Sequence, residues 1–201
     1  MKYGKSYYCL DLKPKAMLLV EDAIKSAGKT SSGGTIDTQN CHTHGLRSSE
    51  VAWIKEPEHS KIFLDIVKFV NKECGWNLGI TECEPMQYTF YNQVGDYYDW
   101  HIDQSVPRPY PQKGSVTVTP NVNLKVRKIS MTLWLSEPDE YEGGEFEIEL
   151  YGPDAKKRTK LFKEKKGRLI FFLSDMWHKV HPIKSGCRKS LVAWFIGDPY
   201  V

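Results

Sequence analysis

The sequence predicts a mainly β fold supported by two helices near its N-terminus. Two segments within residues 1–84 carry apolar side chains at helical spacing. From residue 85 onwards the pattern changes to short segments that alternate apolar and polar side chains, or that are rich in aromatic and β-branched residues. Turns at regular intervals separate these segments. A series of this kind is typical of a β-sandwich or barrel.

The composition is that of one globular domain. The 201 residues are 40% hydrophobic and 12% aromatic, which is enough for a packed core. We therefore expect a single domain over residues 1–201, with residues 1–84 as a helix-rich support and residues 85–197 as the β core.

Charge, hydropathy and cysteine content indicate which partners and which cellular location to expect. A net charge of +3 is too small to indicate a nucleic-acid partner. The sequence has neither an apolar run long enough to cross a membrane nor an N-terminal segment typical of a signal peptide. The five cysteines are scattered without a C-x-x-C pair, which predicts free thiols in a reducing cytoplasm.

The N-terminal support is predicted from helix signals and turn residues. Proline in the first turn and glycine at the end delimit the first helix, and the second begins at another proline. In chain order the predicted elements are a strand over 5–12, a helix over 16–27 begun by Pro14, a loop over 29–45, a strand over 46–54 and a helix from Pro57 to about Cys74.

The β core is predicted from alternation. Its strands are expected over 86–91, 97–103, 125–135, 145–151, 167–173, 177–183 and 188–196. A proline-rich loop over 104–125 is predicted to cover the substrate, and residues 138–144 are predicted to form a turn. The charged segment 154–166 is predicted to be a solvated hairpin rather than a nucleic-acid surface.

The first candidate site residues are His101 and Asp103. On an extended strand, residues two apart point to the same face, so these two side chains could hold a metal together. The alternative is a histidine at a strand end bonded to a surface aspartate. A third ligand is expected from His178 or His181, which strand periodicity puts on opposite faces. His178 is favoured because it opens a new strand at the cavity rim, whereas His181 precedes Pro182 and faces away.

Two histidines and one carboxylate leave coordination positions open, as in non-haem Fe(II) oxygenases. Such enzymes need two further electrons, which decarboxylation of a 2-oxo acid can supply. Arg188 is the candidate for the distal carboxylate of a dicarboxylic 2-oxo acid, because its planar guanidinium binds carboxylates through two hydrogen bonds. Lys189 alternates outward, so Arg188 and Ser190 should point inward. The alternative is an ordinary surface arginine.

Five blocks of sequence, in order, resemble the Fe(II)/2-oxoglutarate-dependent dioxygenases of the prolyl 4-hydroxylase-like branch. The blocks are Tyr91-x-x-x-Gly95-x-x-Tyr98-x-x-His101-x-Asp103, Arg127-x-x-Ser130-x-Thr132-Leu133-Trp134-Leu135-Ser136, Tyr141-Glu142-Gly143-Gly144-Glu145, Gly167-Arg168-Leu169-Ile170-Phe171-Phe172, and His178-x-Val180-x-Pro182-Ile183-x-x-Gly186-x-Arg188. The resemblance implies a double-stranded β-helix, or jelly-roll, with iron at one mouth.

The resemblance also implies residue roles. His101, Asp103 and His178 match the iron ligands, and Arg188 matches the residue that binds the distal carboxylate of 2-oxoglutarate, where Ser190 could add a hydroxyl contact. Tyr91 resembles a tyrosine that helps to hold that carboxylate. The turn to Gly95 is one residue longer than in the family, so Asn92 could take the place of Tyr91.

The substrate side is less determined by the sequence. Arg127 resembles an arginine that meets substrate, with a salt bridge to a loop carboxylate as the alternative. Trp100 and Trp134 could wall the site or serve as core packing. The Tyr141–Glu145 block suggests only a tight turn.

The predicted function is hydroxylation of an unactivated C–H bond in a peptidyl, amino-acid or other small substrate. Dioxygen and 2-oxoglutarate are the expected partners, with Fe(II) as cofactor and ascorbate as a candidate reductant. A nucleic-acid oxidative demethylase is the second hypothesis, although the second arginine of the R-x-N-x-T-x-R arrangement is replaced by Trp194. The third is a non-catalytic, cupin-like binding module.

Overall fold

The computed structural model describes residues 5–33, 45–104, 124–150 and 158–199, together with the backbone of residues 108–109. Most of the loop predicted over 104–125 lies outside these residues, as do residues 34–44 of the loop predicted over 29–45 and the first part of the predicted 154–166 hairpin.

Two helices support the β structure, as predicted. Helix α1 spans Pro14–Lys25 and helix α2 spans Pro57–Glu73. Each begins with a proline. The N–H groups of the first helical turn have no partner within the helix, so the missing N–H group of proline costs no helical hydrogen bond there. Their buried faces carry Val20 and Ala23 in α1, and Phe63, Val67 and Val70 in α2. Neither helix of the described chain is long and apolar enough to cross a membrane.

The strands lie before, between and after the helices. They are β1 (Tyr7–Asp11), β2 (Ser31–Ser32), β3 (Arg47–Ser48), β4 (Glu50–Ile54), β5 (Glu82–Cys83), β6 (Met86–Tyr91), β7 (Tyr97–His101), β8 (Arg108–Pro109), β9 (Leu124–Trp134), β10 (Tyr141–Gly143), β11 (Phe146–Glu149), β12 (Thr159–Phe162), β13 (Arg168–Leu173), β14 (His178–Val180), β15 (Ile183–Gly186) and β16 (Arg188–Gly197).

These strands form two main antiparallel sheets. The larger sheet has the order β1-β13-β9-β16-β6-β4-β2, with β5 beside β16 and β8 beside β9. The smaller sheet has the order β12-β11-β14-β7-β3, and β10 pairs separately with β15. Side chains of the two main sheets share one apolar core. This arrangement confirms the predicted mainly β fold with a jelly-roll core.

Strand β9 shows how the large sheet separates two cores. Ile129, Met131 and Leu133 join the core that contacts the helices, whereas Trp134 joins the core between the sheets. This is the alternation predicted for residues 125–135, and it follows from the two-residue period of a strand. Burial of each such large side chain, on either face of the sheet, contributes about 1.5–3 kcal/mol to the free energy of unfolding.

Several predicted strands are divided in the structure. Residues 46–54 form β3 in the smaller sheet and β4 in the larger sheet, rather than one strand. Residues 177–183 form β14 and the start of β15, with Pro182 between them. A proline cannot donate to a strand ladder, which explains the interruption.

The turn predicted over 138–144 contains strand residues. Tyr141 pairs with Gly186 and Glu142 pairs with Ser185 in the β10–β15 ladder. The two strands are far apart in sequence and have no alternating apolar pattern, so the pairing could not be predicted from local sequence.

Candidate active site

The predicted metal ligands meet where β7 ends and β14 begins, at two neighbouring interior strands of the smaller sheet. His101 ends β7 and lies opposite His178, the first residue of β14, in the strand register. Asp103 follows two residues after β7 ends, so the strand predicted over 97–103 is shorter than expected. The backbone N–H groups of Asp103 and Gln104 both donate to the Ser174 carbonyl, at 2.9 and 2.7 Å. These bonds hold Asp103 beside the histidines although it has left the strand.

The three side chains are close enough to share one ion. His178 Nε2 lies 3.5 Å from Asp103 Oδ2, and His101 Nε2 lies 3.9 Å from Asp103 Oδ1. One ligand atom from each residue can be chosen so that all three lie within 4.8 Å of one another. The structure thus brings together the three residues that the sequence analysis selected.

Backbone carbonyls determine which imidazole nitrogens face the cluster. His101 Nδ1 donates to the Asp99 carbonyl at 2.7 Å, and His178 Nδ1 donates to the Met176 carbonyl at 2.9 Å. A carbonyl oxygen can only accept, so each Nδ1 carries a proton, and in the neutral imidazole the Nε2 atom then keeps its lone pair. Both Nε2 atoms are therefore available to bind a cation.

The pKa shifts of His101 and Asp103 favour the protonation states that metal binding needs. Burial, reinforced by His178, lowers the pKa of His101 from 6.5 to about 3, so this imidazole is neutral at neutral pH. Burial alone would raise the pKa of Asp103, but the nearby His178, His101 and Arg127 outweigh it and lower the pKa. Two imidazoles that present Nε2 and one carboxylate form a donor set that fits Fe(II).

Tyr98 and Arg47 complete this side of the site and were missed by the sequence analysis. The Tyr98 ring stacks on His101 with centroids 3.5 Å apart and planes inclined by 11°, and the Arg47 guanidinium lies 4.7 Å from the Tyr98 ring. Simple alternation would put Tyr98 and His101 on opposite faces. A register shift between β7 and β14 changes the local alternation, because two residues of β7, Asp99 and Trp100, oppose the single residue Lys179 of β14.

Arg188 lies at the other end of the cavity, where β16 pairs with β6. Its side chain is buried, with 1% of the residue exposed, and Nη1 donates to Ser190 Oγ at 3.2 Å. Within the described residues, Nε and Nη2 have no hydrogen-bond partner. A buried cation with unpartnered donors is unfavourable by itself. Arg188 therefore fits an anionic ligand such as the distal carboxylate of 2-oxoglutarate.

One cavity connects the two ends. It is lined by His101, Asp103 and His178 together with Arg188, Ser190 and Tyr91, among others. Tyr91 lies opposite Arg188 in the register, and its ring is 5.3 Å from the guanidinium. Asn92 is exposed, and its N–H donates to Asp96 Oδ2 at 2.9 Å. The structure places Tyr91, rather than Asn92, at the cavity.

Arg127 makes the salt bridge that the sequence analysis left open as an alternative. Its Nε and Nη2 donate to the two Glu84 carboxylate oxygens at 2.9 and 2.6 Å. Its guanidinium also lies 3.9 Å from the ring of Trp194. A substrate role for Arg127 remains a prediction.

The two tryptophans that could either wall the site or serve as core packing do not line the cavity. Trp100 lies under Lys179, with Nζ 4.8 Å from its ring. Trp134 is fully buried beside Arg188. His181, the histidine that was not favoured, faces Glu147 instead, with Nε2 2.7 Å from Oε2.

Trp194 lines the cavity and was not selected from the sequence, where it was noted only as the residue in place of an arginine. It is 6% exposed, and its Nε1 has no hydrogen-bond partner within the described residues. Strand periodicity could have identified it, because Arg188, Ser190, Val192 and Trp194 alternate along β16 and all line the cavity.

Comparisons with known proteins agree with this geometry. The sequence profile of the 2OG-Fe(II) oxygenase superfamily matches residues 86–196. A PKHD-type hydroxylase from Janthinobacterium sp. (strain Marseille) is 31% identical over 190 residues, covering 89% of this chain and 77% of the relative. Matches to two further PKHD-type hydroxylases span only 64% and 37% of those proteins.

Two solved structures share the fold. A Trichoplax adhaerens prolyl hydroxylase, in complex with a hypoxia inducible factor peptide fragment, has a TM-score of 0.62 at 20% identity and covers 94% of this chain and 83% of its own. A Pseudomonas putida prolyl-4-hydroxylase has a TM-score of 0.62 at 18% identity, with 96% and 94% covered. The chain belongs to the 2OG-Fe(II) oxygenase superfamily and is a dioxygenase that uses Fe(II) and 2-oxoglutarate.

Proposed function

We propose that this protein hydroxylates an unactivated C–H bond of a peptidyl or amino-acid substrate, in the manner of a prolyl 4-hydroxylase. The observation that carries the proposal is one cavity with His101, Asp103 and His178 at one end and Arg188 at the other, where Nε and Nη2 of the guanidinium have no hydrogen-bond partner within the described residues. When bound, Fe(II) and 2-oxoglutarate supply dioxygen activation coupled to decarboxylation to succinate.

The residues of the chain bind and orient these groups. His101 and His178 would offer Nε2 and Asp103 a carboxylate oxygen to Fe(II), a ligand set that leaves coordination positions open. The stacked Tyr98 ring restricts rotation of the His101 imidazole. Arg188 binds the distal carboxylate with Ser190, and Tyr91 packs against Arg188 from the neighbouring strand.

The cavity wall near Trp194 supports a substrate with carbonyl groups. Arg47 donates to Ser49 Oγ at 2.7 Å and to Gln87 Oε1 at 2.9 Å, and it has no acidic partner within the described residues. Trp194 lines the same cavity, and its buried Nε1 donor has no hydrogen-bond partner within the described residues. Indole and guanidinium groups only donate hydrogen bonds, so they suit the carbonyl oxygens of a peptide. The similarity to a structure that contains a bound peptide supports this substrate class.

Two finer expectations stay predictions. The loop over 104–125 is proposed to cover the substrate, and a cytoplasmic location is proposed from the scattered cysteines, four of which are free in the described part of the chain. Arg127 and the candidate reductant ascorbate also remain to be tested in turnover.

A nucleic-acid demethylase is the competing hypothesis for this fold. No feature of the described cavity specifically favours it, and Trp194 occupies the position at which the second arginine of that arrangement would stand. The non-catalytic module would keep the metal site but would form no succinate.

The primary test measures succinate formed from 2-oxoglutarate with Fe(II) under air, in wild type and in His101→Ala. We expect turnover in the wild type and its loss in the variant, because the metal loses one of three protein ligands. His181→Ala is the matched control, since that imidazole contacts Glu147 rather than the cluster. Turnover that survives in His101→Ala would refute the site.

A second test identifies the substrate class. Proline-containing peptides, free proline and methylated oligonucleotides are incubated with the enzyme, and products are analysed by mass spectrometry. The proposal expects a gain of one oxygen atom on a peptide or amino acid. Loss of a methyl group from an oligonucleotide, with no change in any peptide or amino acid, would favour the demethylase.

A further inference from the structure

Three buried side chains meet around the guanidinium of Arg188. Trp134 comes from β9, Tyr141 from β10 and Arg188 from β16. Each has a buried polar atom without a hydrogen-bond partner within the described residues: Trp134 Nε1, Tyr141 Oη, and Nε and Nη2 of Arg188. Buried polar atoms without partners are rare, so three such residues in contact need a physical explanation.

The three side chains are packed together. The Arg188 guanidinium lies 5.4 Å from the Trp134 ring. A Cβ atom placed on Gly144 would lie 3.0 Å from Arg188 Cδ and 3.3 Å from Tyr141 Cδ2, so both side chains pack against this glycine. Burial raises the pKa of Tyr141, and the nearby Arg188 charge opposes that rise. The Trp134 indole and the Arg188 guanidinium also lie close enough to the Tyr141 hydroxyl to lower its pKa as hydrogen-bond donors, although the geometry falls short of a formed hydrogen bond within the described residues.

The hydrogen-bonding chemistry of the cluster is unequal. Arginine and the indole N–H can only donate, whereas a tyrosine hydroxyl can accept as well as donate. Tyr141 is thus the residue of the three that can accept from the other two. Tyr141 does not line the cavity, whereas Arg188 and Ser190 do. Tyr141 lies behind the cation, and a ligand in the cavity would contact Arg188 first.

We propose that Tyr141 is a positioning residue for the cosubstrate. In the complex with 2-oxoglutarate, its hydroxyl oxygen accepts hydrogen bonds from Arg188 and from Trp134 Nε1. These bonds fix the guanidinium so that its remaining N–H groups point at the distal carboxylate. This inference rests on the proposed role of Arg188 in the same site.

The turn after Tyr141 explains how the residue reaches Arg188. Gly143 and Gly144 adopt φ of +73° and +64°, and a Cβ atom on Gly143 would lie 2.2 Å from the Pro182 carbonyl oxygen. Only glycine allows this backbone conformation and close approach without strain. The turn holds β10 against β15 and so places Tyr141 behind the cavity. The Tyr141–Glu145 block, which from the sequence suggested only a tight turn, therefore positions Tyr141 behind Arg188.

The test compares two ligands in Tyr141→Phe, which removes the hydroxyl and keeps the ring. With Mn(II) in place of iron, calorimetry measures the dissociation constants of 2-oxoglutarate and of oxalate, which chelates a metal but has no distal carboxylate. We expect about a tenfold weaker affinity for 2-oxoglutarate, because charge-assisted hydrogen bonds are lost, and unchanged affinity for oxalate. In turnover with Fe(II), KM for 2-oxoglutarate should rise about tenfold while kcat stays within about twofold.

Two further variants provide a control for general damage and a second test of the cluster. Tyr88→Phe removes a hydroxyl from β6 on the helix side of the sheet and should change neither affinity. Trp134→Phe removes the second donor and should weaken 2-oxoglutarate about threefold with oxalate unchanged, which keeps the proposal testable if Tyr141→Phe does not fold.

The outcomes separate this inference from the proposed function. Equal affinities of wild type and Tyr141→Phe for 2-oxoglutarate would overturn the positioning role, as would equal losses for both ligands. If the wild type binds oxalate but not 2-oxoglutarate, or if Arg188→Met leaves 2-oxoglutarate affinity intact, the proposed function itself fails.

Discussion

Replacing Arg188 by methionine should make the ligand-free protein more stable while abolishing cosubstrate binding. Two buried unpartnered donors, Nε and Nη2, cost about 1–3 kcal/mol each, or about 4 kcal/mol together. The substitution also loses the bond to Ser190, about 1 kcal/mol. It further loses the contacts of the cation with the Tyr91 and Trp134 rings, about 1 kcal/mol in total. The net expectation is a gain of about 2 kcal/mol in the free energy of unfolding.

The measurement is urea unfolding of the metal-free protein, with 2-oxoglutarate affinity determined by calorimetry in the presence of Mn(II). Affinity should fall by about a hundredfold or more, since a bidentate charge-assisted contact is lost. Arg127→Met is the matched control: it breaks the bidentate pair with Glu84 and should destabilise the protein by about 3 kcal/mol. If Arg188→Met also destabilises the ligand-free protein, Arg188 is a structural cation and the reasoning is refuted.

The remaining predictions concern the metal side of the cavity. Mn(II) at a hundred times its dissociation constant should stabilise the wild type by about 2.7 kcal/mol. In thermal melts with and without EDTA, His178→Ala should lose this stabilisation and His181→Ala should keep it, and the reverse pattern would exchange the two histidines. The metal-free protein should lose stability as the pH falls below 6.5, because the unfolded His101 binds a proton there while the folded one has a pKa of about 3. The loss between pH 6.5 and 5 should be about 2 kcal/mol by urea unfolding and should be smaller in His101→Gln; equal slopes in the two proteins would contradict it.

Much of the fold was predictable because local patterns encode it. Apolar spacing and prolines located both helices, and alternation located the long strands, because each pattern reflects the face that a single element buries. The short strands were not predictable in this way. Strands β10 and β15 pair across a long sequence separation, and their stability comes from the ladder rather than from their own composition.

The residues of the site likewise divide into those that the sequence predicts and those that only tertiary structure reveals. The H-x-D spacing, a later histidine and the inward arginine of β16 were sufficient to select the residues that the structure brings to one cavity. Tyr98 stood in the first matching block but was given no role, because only a register shift against β14 puts it on the face of His101. Arg127 was left open between two roles, and only the position of Glu84, far away in sequence, shows which contact it makes in this structure.

The sequence by itself determined the types of donor in this protein: two imidazoles, one carboxylate and one guanidinium at spacings that strands bring to common faces. The tertiary structure decided which donors are satisfied. It gave the histidine Nδ1 atoms backbone carbonyls, whereas Arg188, Tyr141 and Trp194 keep polar atoms that no other atom of the described ranges partners. Whether a buried polar atom has a hydrogen-bond partner depends on which atoms come together after long-range strand pairing, and local sequence does not encode those contacts.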